Sequence, residues 1–255
     1  MFLLIRERFK VTETRRTAIV TGAGRGLGFG LAQKLLEQGW HVIAASHGEP
    51  SASLTQLKQQ AGDRLLCVGI DISDDDSVKA AATAASGWTD QLDLIINNAG
   101  VLGDIDKQVP DELDFDEMLH VMNVNTLGPL RVTQAFGKLL LRSNRPIVAN
   151  ISSEAGSVGT CGRDGWYGYC MSKAALNMQS ALVHNQLKPL GGRVLVLHPG
   201  WVQSYMHGDL NTSARLTIEQ SADNVLGAIM NEAQWPDVDG KPPYIDTEYG
   251  QRLPW

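Results

Sequence analysis

The sequence predicts an α/β fold: a single domain on a doubly wound, mostly parallel seven-stranded sheet with helices on both faces. Three observations carry this. Short apolar runs alternate with longer stretches of helical periodicity along nearly all of the 255 residues, the pattern of parallel strands joined by crossover helices. A glycine-rich turn, Thr21-Gly22-Ala23-Gly24-Arg25-Gly26-Leu27-Gly28, joins the first such run to the first helix. No repeat, low-complexity tract or linker rich in Pro, Gly or Ser divides the chain, so one core serves all of it.

The elements follow in order. Residues 1–15 form a charged extension, and the domain occupies 16–255. Strands are expected over 17–21, 41–45, 65–70, 94–97, 147–152, 194–198 and 244–246, each a short apolar run. Between them, helices are expected over 26–38, 51–60, 74–85, 169–188 and 217–231, with a broken helix over 115–141. Residues 203–216 show no strand pattern, as expected of a loop beside a binding site.

Composition narrows the function. A net charge of −6 without any run of Lys or Arg argues against a nucleic-acid or anionic-membrane surface and favours a small-molecule substrate. Met1-Phe2-Leu3-Leu4-Ile5 is too short for a signal sequence, and no stretch approaches the roughly 20 apolar residues of a membrane span, so a cytoplasmic protein is expected. Cys67, Cys161 and Cys170 read as reduced thiols, and the six scattered histidines show no metal-binding pattern.

Gly22, Gly26 and Gly28 stand where a nucleotide pyrophosphate is bound in the Rossmann arrangement: at the end of a strand and the start of a helix, where glycines let the backbone approach closely. A carboxylate about 20 residues further on would hold the adenosine ribose of NAD. Here the second strand ends in Ala44-Ala45-Ser46-His47. With no carboxylate there, and Arg25 and His47 available to meet a 2′-phosphate, NADP(H) is the preferred cofactor and NAD(H) the alternative.

Tyr169 and Lys173 are four residues apart on a predicted helix, which stacks them on one face. At ~5 Å and an effective dielectric of ~20, the ammonium would favour the phenolate by roughly 3 kcal/mol, about two pKa units. That would poise the tyrosine for proton transfer.

With these motifs in order, the chain resembles the short-chain dehydrogenase/reductase family from about Arg16 to its C-terminus. The resemblance implies that Asn125, Ser153, Tyr169 and Lys173 are the catalytic set, with Asn125 holding a water linked to Lys173. It places Gly22, Arg25, Gly26, Leu27, Gly28, Ser46, His47, Asp71, Ile72, Asn98, Ala99 and Gly100 around the cofactor. Pro199, Gly200, Val202 and Ser204 would cover the nicotinamide, and Tyr169 and Lys173 would also touch the cofactor. The Ser153 to Tyr169 interval, longer than usual, and the ending Gly250-Gln251-Arg252-Leu253-Pro254-Trp255 resemble the C-factor-like and Sniffer-like carbonyl reductases. This implies NADPH-dependent reduction of a ketone or aldehyde. Trp166, Tyr167, Trp201, Tyr205 and Met206 are candidates for an apolar pocket wall or for packing, and a homodimer or homotetramer is expected by analogy. Two other readings stay open: an NAD-linked alcohol dehydrogenase, and a dinucleotide-binding sensor with little turnover.

Overall fold

In a computed structural model, described over residues 15–206, 208 and 210–255, the chain folds about one eight-stranded sheet. Residues 1–14 of the expected extension, and His207 and Asp209 of the expected loop, lie outside the described residues. In chain order the elements are β1 (Thr17–Thr21), α1 (Gly26–Glu37), β2 (His41–Ser46), α2 (Ala52–Ala61), β3 (Leu65–Gly69), α3 (Asp75–Ser86), β4 (Leu94–Asn97), α4 (Phe115–Met122), α5 (Gly128–Leu140), β5 (Ile147–Ile151), α6 (Tyr167–Leu187), β6 (Arg193–His198), α7 (Ile218–Met230), β7 (Tyr244–Asp246) and β8 (Gln251–Arg252).

The strand order is β3-β2-β1-β4-β5-β6-β7-β8, parallel throughout except for β8. Order reverses between β1 and β4, which opens a crevice at their C-terminal ends, the usual ligand position in such sheets. The eighth strand adds one to the seven expected. Its two residues are polar and exposed, so no apolar run announces it.

Both faces of the sheet are buried, which is why its strands are apolar rather than alternating. Ile19 pairs with Ile43 and Ile95, and these point to the layer holding Val78, Phe136 and Val183 from α3, α5 and α6. Val20, Val42 and Ile96 point the other way, onto Leu31, Leu35, Val225 and Ile229 from α1 and α7. Each such fully buried side chain contributes about 1.5–3 kcal/mol of transfer free energy.

Two local departures shape the site. The broken helix expected over 115–141 is interrupted by a π turn, Asn123–Leu127. Pro129 has no N–H to offer the Asn125 carbonyl four residues back, so an uninterrupted α ladder is impossible there. Helix α6 starts at Tyr167, two residues earlier than expected, and is entered through Trp166 in the left-handed region at φ 64°.

Candidate active site

The glycine turn and the Asn97-Asn98-Ala99-Gly100 segment are tied together by Thr21. Its Oγ1 accepts from the Asn98 and Ala99 backbone N–H groups at 3.0 and 3.1 Å, while Asn98 Nδ2 donates to the Thr21 carbonyl at 2.9 Å. Gly22 needs its glycine, having φ 68° and an ideal Cβ position 2.9 Å from Ala99 Cα. Above Gly26 the space is open. Helix α1 begins there without a side-chain cap, whereas α2, α3, α4 and α7 are capped by Ser51, Asp74, Asp114 and Thr217. Uncapped N–H groups at a helix start suit an anion such as a pyrophosphate.

At the end of β2 the Ser46 hydroxyl is buried without a hydrogen-bond partner, and its Cβ lies 3.2 Å from an ideal Cβ on Gly24. An orphaned donor beside the turn fits a nucleotide ribose or its phosphate. His47 Nε2 lies 3.8 Å from Asp71 Oδ2 at the end of β3. Hydrogen bonds from Ser73 hold the Asp71 carboxyl below its ordinary range, with the charge of His47 adding to the effect. Ile72 is buried, its side chain packed against Gly128. Leu27 likewise belongs to the core.

Arg25 stacks on Tyr205, 5.4 Å from guanidinium carbon to ring centre, which brings the loop after β6 over the glycine turn. That loop is pinned at its base. Val202 and Leu216 form a parallel bridge, Gln203 N–H donates to the Leu216 carbonyl, and Arg215 grips Glu248 through two hydrogen bonds of 2.9 and 3.0 Å. Gly200, at φ 82°, admits Leu216 and Glu248 where a Cβ would clash. The Pro199 carbonyl accepts from Ser221, and Ser204 accepts from Asn211 N–H within the loop.

The structure brings Ser153, Tyr169 and Lys173 together between β5 and α6. All three are buried. Ser153 sits at the end of β5 with its carbonyl held by the Tyr244 hydroxyl. Lys173 Nζ donates to the Ile151 carbonyl at 2.9 Å and lies 5.6 Å from the Tyr169 ring centre. Asn125 is fully buried in the π turn, where its amide clamps Val101 from both sides at 2.8 Å and donates to Ser172 Oγ at 3.0 Å. An ideal Cβ on Gly100 would lie 3.1 Å from Asn125 Oδ1 and 3.7 Å from Lys173 Nζ, so the three meet at one point. Both Nδ2 hydrogens and one Oδ1 lone pair of Asn125 are thereby engaged by Val101 and Ser172.

The electrostatics depart from expectation. Burial pulls the Lys173 ammonium down to about 8. Burial also lifts the Tyr169 phenol above its ordinary value; the neighbouring Ser153 hydroxyl offsets part of this and the Glu154 charge adds to it. Lys173 does not draw the phenol toward neutrality here. Loss of water around both groups outweighs their mutual attraction, and the ammonium is committed to the Ile151 carbonyl.

Glu154, Arg163 and His198 at the site were not singled out from sequence. Glu154 accepts from Ser153 Oγ at 2.6 Å, pairs with Arg163, and lies 3.4 Å from His198 Nδ1. Trp166 packs edge-on against Tyr169 with ring centres 6.1 Å apart, under the Arg163 guanidinium. Tyr167 is half-buried, while Trp201 and Met206 are exposed. A polar spine, Asn97 to Asn150 to Ser180 and Ser152 to Asn177 to Gly156, braces the strands beneath. The Glu154–His198 pair and this spine join residues far apart in the chain, so no local motif signals them. Among the described residues no helix is long and apolar enough to cross a membrane.

Comparison with known proteins gives a consistent picture. The short chain dehydrogenase family profile matches residues 16–215. The short-chain dehydrogenase RED3 of Pyricularia oryzae is 34% identical over 251 residues, covering 94% of this chain and 98% of that protein. C-signal of Myxococcus xanthus is 36% identical over 180 residues, 68% of this chain and 99% of that one. Among solved structures, the carbonyl reductase Sniffer of D. melanogaster superposes with a TM-score of 0.84 at 25% identity, over 94% of this chain and 100% of that one. An NADPH-bound carbonyl reductase from chicken fatty liver does so with a TM-score of 0.81 at 30% identity, over 94% of each.

Proposed function

The chain belongs to the short chain dehydrogenase family, a family of oxidoreductases, and on that premise we propose that it reduces a ketone or aldehyde to an alcohol with NADP(H) as the preferred cofactor. The observation that carries this reading is the convergence of buried Ser153, Tyr169 and Lys173 at the sheet end that also holds the uncapped glycine turn. The solved neighbours that are carbonyl reductases, one of them with NADPH bound, support the substrate class and the cofactor.

The bound dinucleotide would supply the hydride. Gly22, Gly26, Gly28 and the first N–H groups of α1 would hold its pyrophosphate, and the Ser46 hydroxyl with Arg25 its 2′-phosphate. Tyr169 gives its phenolic proton to the developing alkoxide. The phenol is protonated at neutral pH and so carries the proton that reduction consumes. Ser153 donates to the substrate oxygen, and Lys173 places a positive charge beside the centre where negative charge develops. Tyr205, with Arg25 beneath it, and Trp166, packed on Tyr169, wall the site with aromatic surface suited to an apolar carbonyl compound.

A homo-oligomer is part of the same reading. Phe115 and Leu119 on α4, Leu130 on α5, and Met171, Met178 and Leu182 on α6 are exposed apolar side chains on neighbouring helices, a surface that suits a second copy of the chain. Light scattering that gives a monomer at micromolar concentration would contradict it.

Turnover of a broad carbonyl panel with NADPH and with NADH, using wild type and Tyr169→Phe, tests the activity. Wild type is expected to consume NADPH. Tyr169→Phe is expected to bind it equally well and lose at least about 100-fold in rate. A Tyr169→Phe protein as fast as wild type would overturn the assignment.

A further inference from the structure

Two features that the sequence singles out, the long interval between Ser153 and Tyr169 and the ending Gly250-Gln251-Arg252-Leu253-Pro254-Trp255, have no part in the proposed chemistry. The fold brings them together and joins both to Ser153. The Gly159 N–H, within the interval, donates to the Trp255 main-chain oxygen at 3.1 Å. An ideal Cβ on Gly159 would lie 3.1 Å from the same oxygen and 3.4 Å from Pro254 Cβ, so the two segments are in close contact. The Leu253 N–H donates to the Tyr244 carbonyl at 2.8 Å, and the Trp255 ring packs on the Tyr244 ring with centres 5.5 Å apart. Tyr244 in turn donates its hydroxyl to the Ser153 carbonyl.

Ser153 stands where the sheet has already released the chain. Strand β5 ends at Ile151, one further bond runs from the Ser152 N–H to the Leu197 carbonyl at 2.8 Å, and a single 3₁₀ turn follows over Glu154–Gly156. Among the described residues, the other hydrogen bonds of Ser153 stay within that turn. Its Oγ donates to Glu154 and accepts from the Ala155 N–H, and its carbonyl also accepts from the Gly156 N–H at 2.9 Å. Such bonds hold the shape of the turn but move with it. The Tyr244 hydroxyl is the bond that ties Ser153 itself to a distant strand, β7.

We propose that Tyr244, braced by Trp255, is a positioning residue for Ser153. Its hydroxyl fixes the serine backbone where Oγ can meet the substrate oxygen, and the Trp255 ring, tied to Gly159, keeps the Tyr244 ring from tilting away. The neighbouring anchors leave this task open. Lys173 holds the Ile151 carbonyl, Ser152 Oγ donates to Asn177 at 2.6 Å, and Asn177 Nδ2 donates to the Gly156 carbonyl at 3.1 Å. Helix α6 thus fixes the residues on either side of Ser153, and β7 fixes the serine between them. Ile245 belongs to the layer beneath α1 and α7, so by alternation Tyr244 points to the opposite face, where α6 carries Tyr169 and Lys173. Tyr244 is fully buried, which gives its hydroxyl a fixed position in close-packed surroundings. Because Ser153 donates to an oxygen on which charge develops, displacing it costs more in the transition state than in the bound substrate.

This inference rests on the oxidoreductase reading, and the decisive variant is Tyr244→Phe, which keeps the ring and its packing on Trp255 and removes only the hydroxyl. Its carbonyl-reducing kcat is expected to fall at least about 5-fold, with KM and NADPH affinity within about 2-fold of wild type. In a Ser153→Ala background the same substitution is expected to have no further effect, because the hydroxyl it positions is gone. A merely structural role would not give that result, since weakened packing lowers activity in both backgrounds alike. Trp255→Ala is expected to show a smaller loss of kcat with the same dependence on Ser153, recovered in Trp255→Phe. Wild-type kcat in Tyr244→Phe, or a loss of equal size in the Ser153→Ala background, overturns the proposal. If Tyr244→Phe does not fold, the Trp255 series decides: no loss in Trp255→Ala, or a loss that persists without the serine hydroxyl, overturns it. A wild type that turns over no carbonyl sinks the proposed function and the positioning role with it, whereas wild-type turnover matched by Tyr244→Phe sinks the positioning role alone.

Discussion

Lys173 Nζ donates to the Ile151 carbonyl at 2.9 Å while lying 5.6 Å from the centre of the Tyr169 ring. The two side chains share a helix face and a dry environment without sharing a hydrogen bond. Burial therefore acts on each of them separately, lowering the ammonium and raising the phenol.

Stability should register the buried ammonium. Burial brings the Lys173 pKa down to about 8 in the folded chain from an ordinary value of 10.5. Between those pH values the unfolded chain binds a proton that the folded chain has released, so folding becomes more favourable as pH rises. The full cost of the buried charge, about 3 kcal/mol, is present below the folded pKa and is relieved by the unfolded one. Urea melts of wild type and Lys173→Met, which lacks the titration, should show the variant's advantage shrinking from pH 8 to 10.5. A difference that stays constant across that window would contradict it.

The cofactor turn has a steric test. An alanine Cβ at Gly28 would lie 2.3 Å from the Gly22 carbonyl oxygen and 2.5 Å from Asn98 Nδ2. Gly28→Ala should cost about 1–3 kcal/mol and weaken nucleotide binding, because α1 must move away from the turn. Gly227→Ala, on the exposed side of α7 with nothing within 4 Å, should instead gain about 0.5–1 kcal/mol and leave binding alone. Thermal melts with nucleotide titrations distinguish these outcomes, and equal effects at the two positions would refute the packing account.

Cofactor choice turns on the end of β2. Placing a carboxylate beside a 2′-phosphate should repel it, so Ser46→Asp is expected to lower NADPH affinity relative to NADH by at least about 10-fold. The ratio of the two affinities, from fluorescence titration, is the quantity to follow. Equal losses for both cofactors would mean that Ser46 lies away from the phosphate.

The parallel strands, the glycine turn and the Tyr169–Lys173 spacing were legible in the sequence because each depends on neighbours in the chain. Thr17-Ala18-Ile19-Val20-Thr21 needs only its own β-branched and apolar residues to declare a buried strand. Other features depend on what folding brings together. The meeting of Glu154 with His198, the Tyr244 hydroxyl on Ser153 and the partnerless Ser46 hydroxyl are products of tertiary packing. The sign of the tyrosine shift was misjudged for the same reason. Spacing sets the distance between two charges, but the dielectric around them is set by residues from β5, α6 and the loop before it.

The π turn at Asn123–Leu127 makes the site sensitive to chain length in a way that no single side chain reveals. A π turn takes up one residue more than an α turn, so here it keeps α4 and α5 in one continuous helix across the point where Pro129 denies the Asn125 carbonyl its usual partner. Removing one residue there would take out the bulge that carries Asn125 to Val101 and Ser172 while leaving the α4 face on α6. In this helix, a one-residue deletion would be a more drastic change than most substitutions.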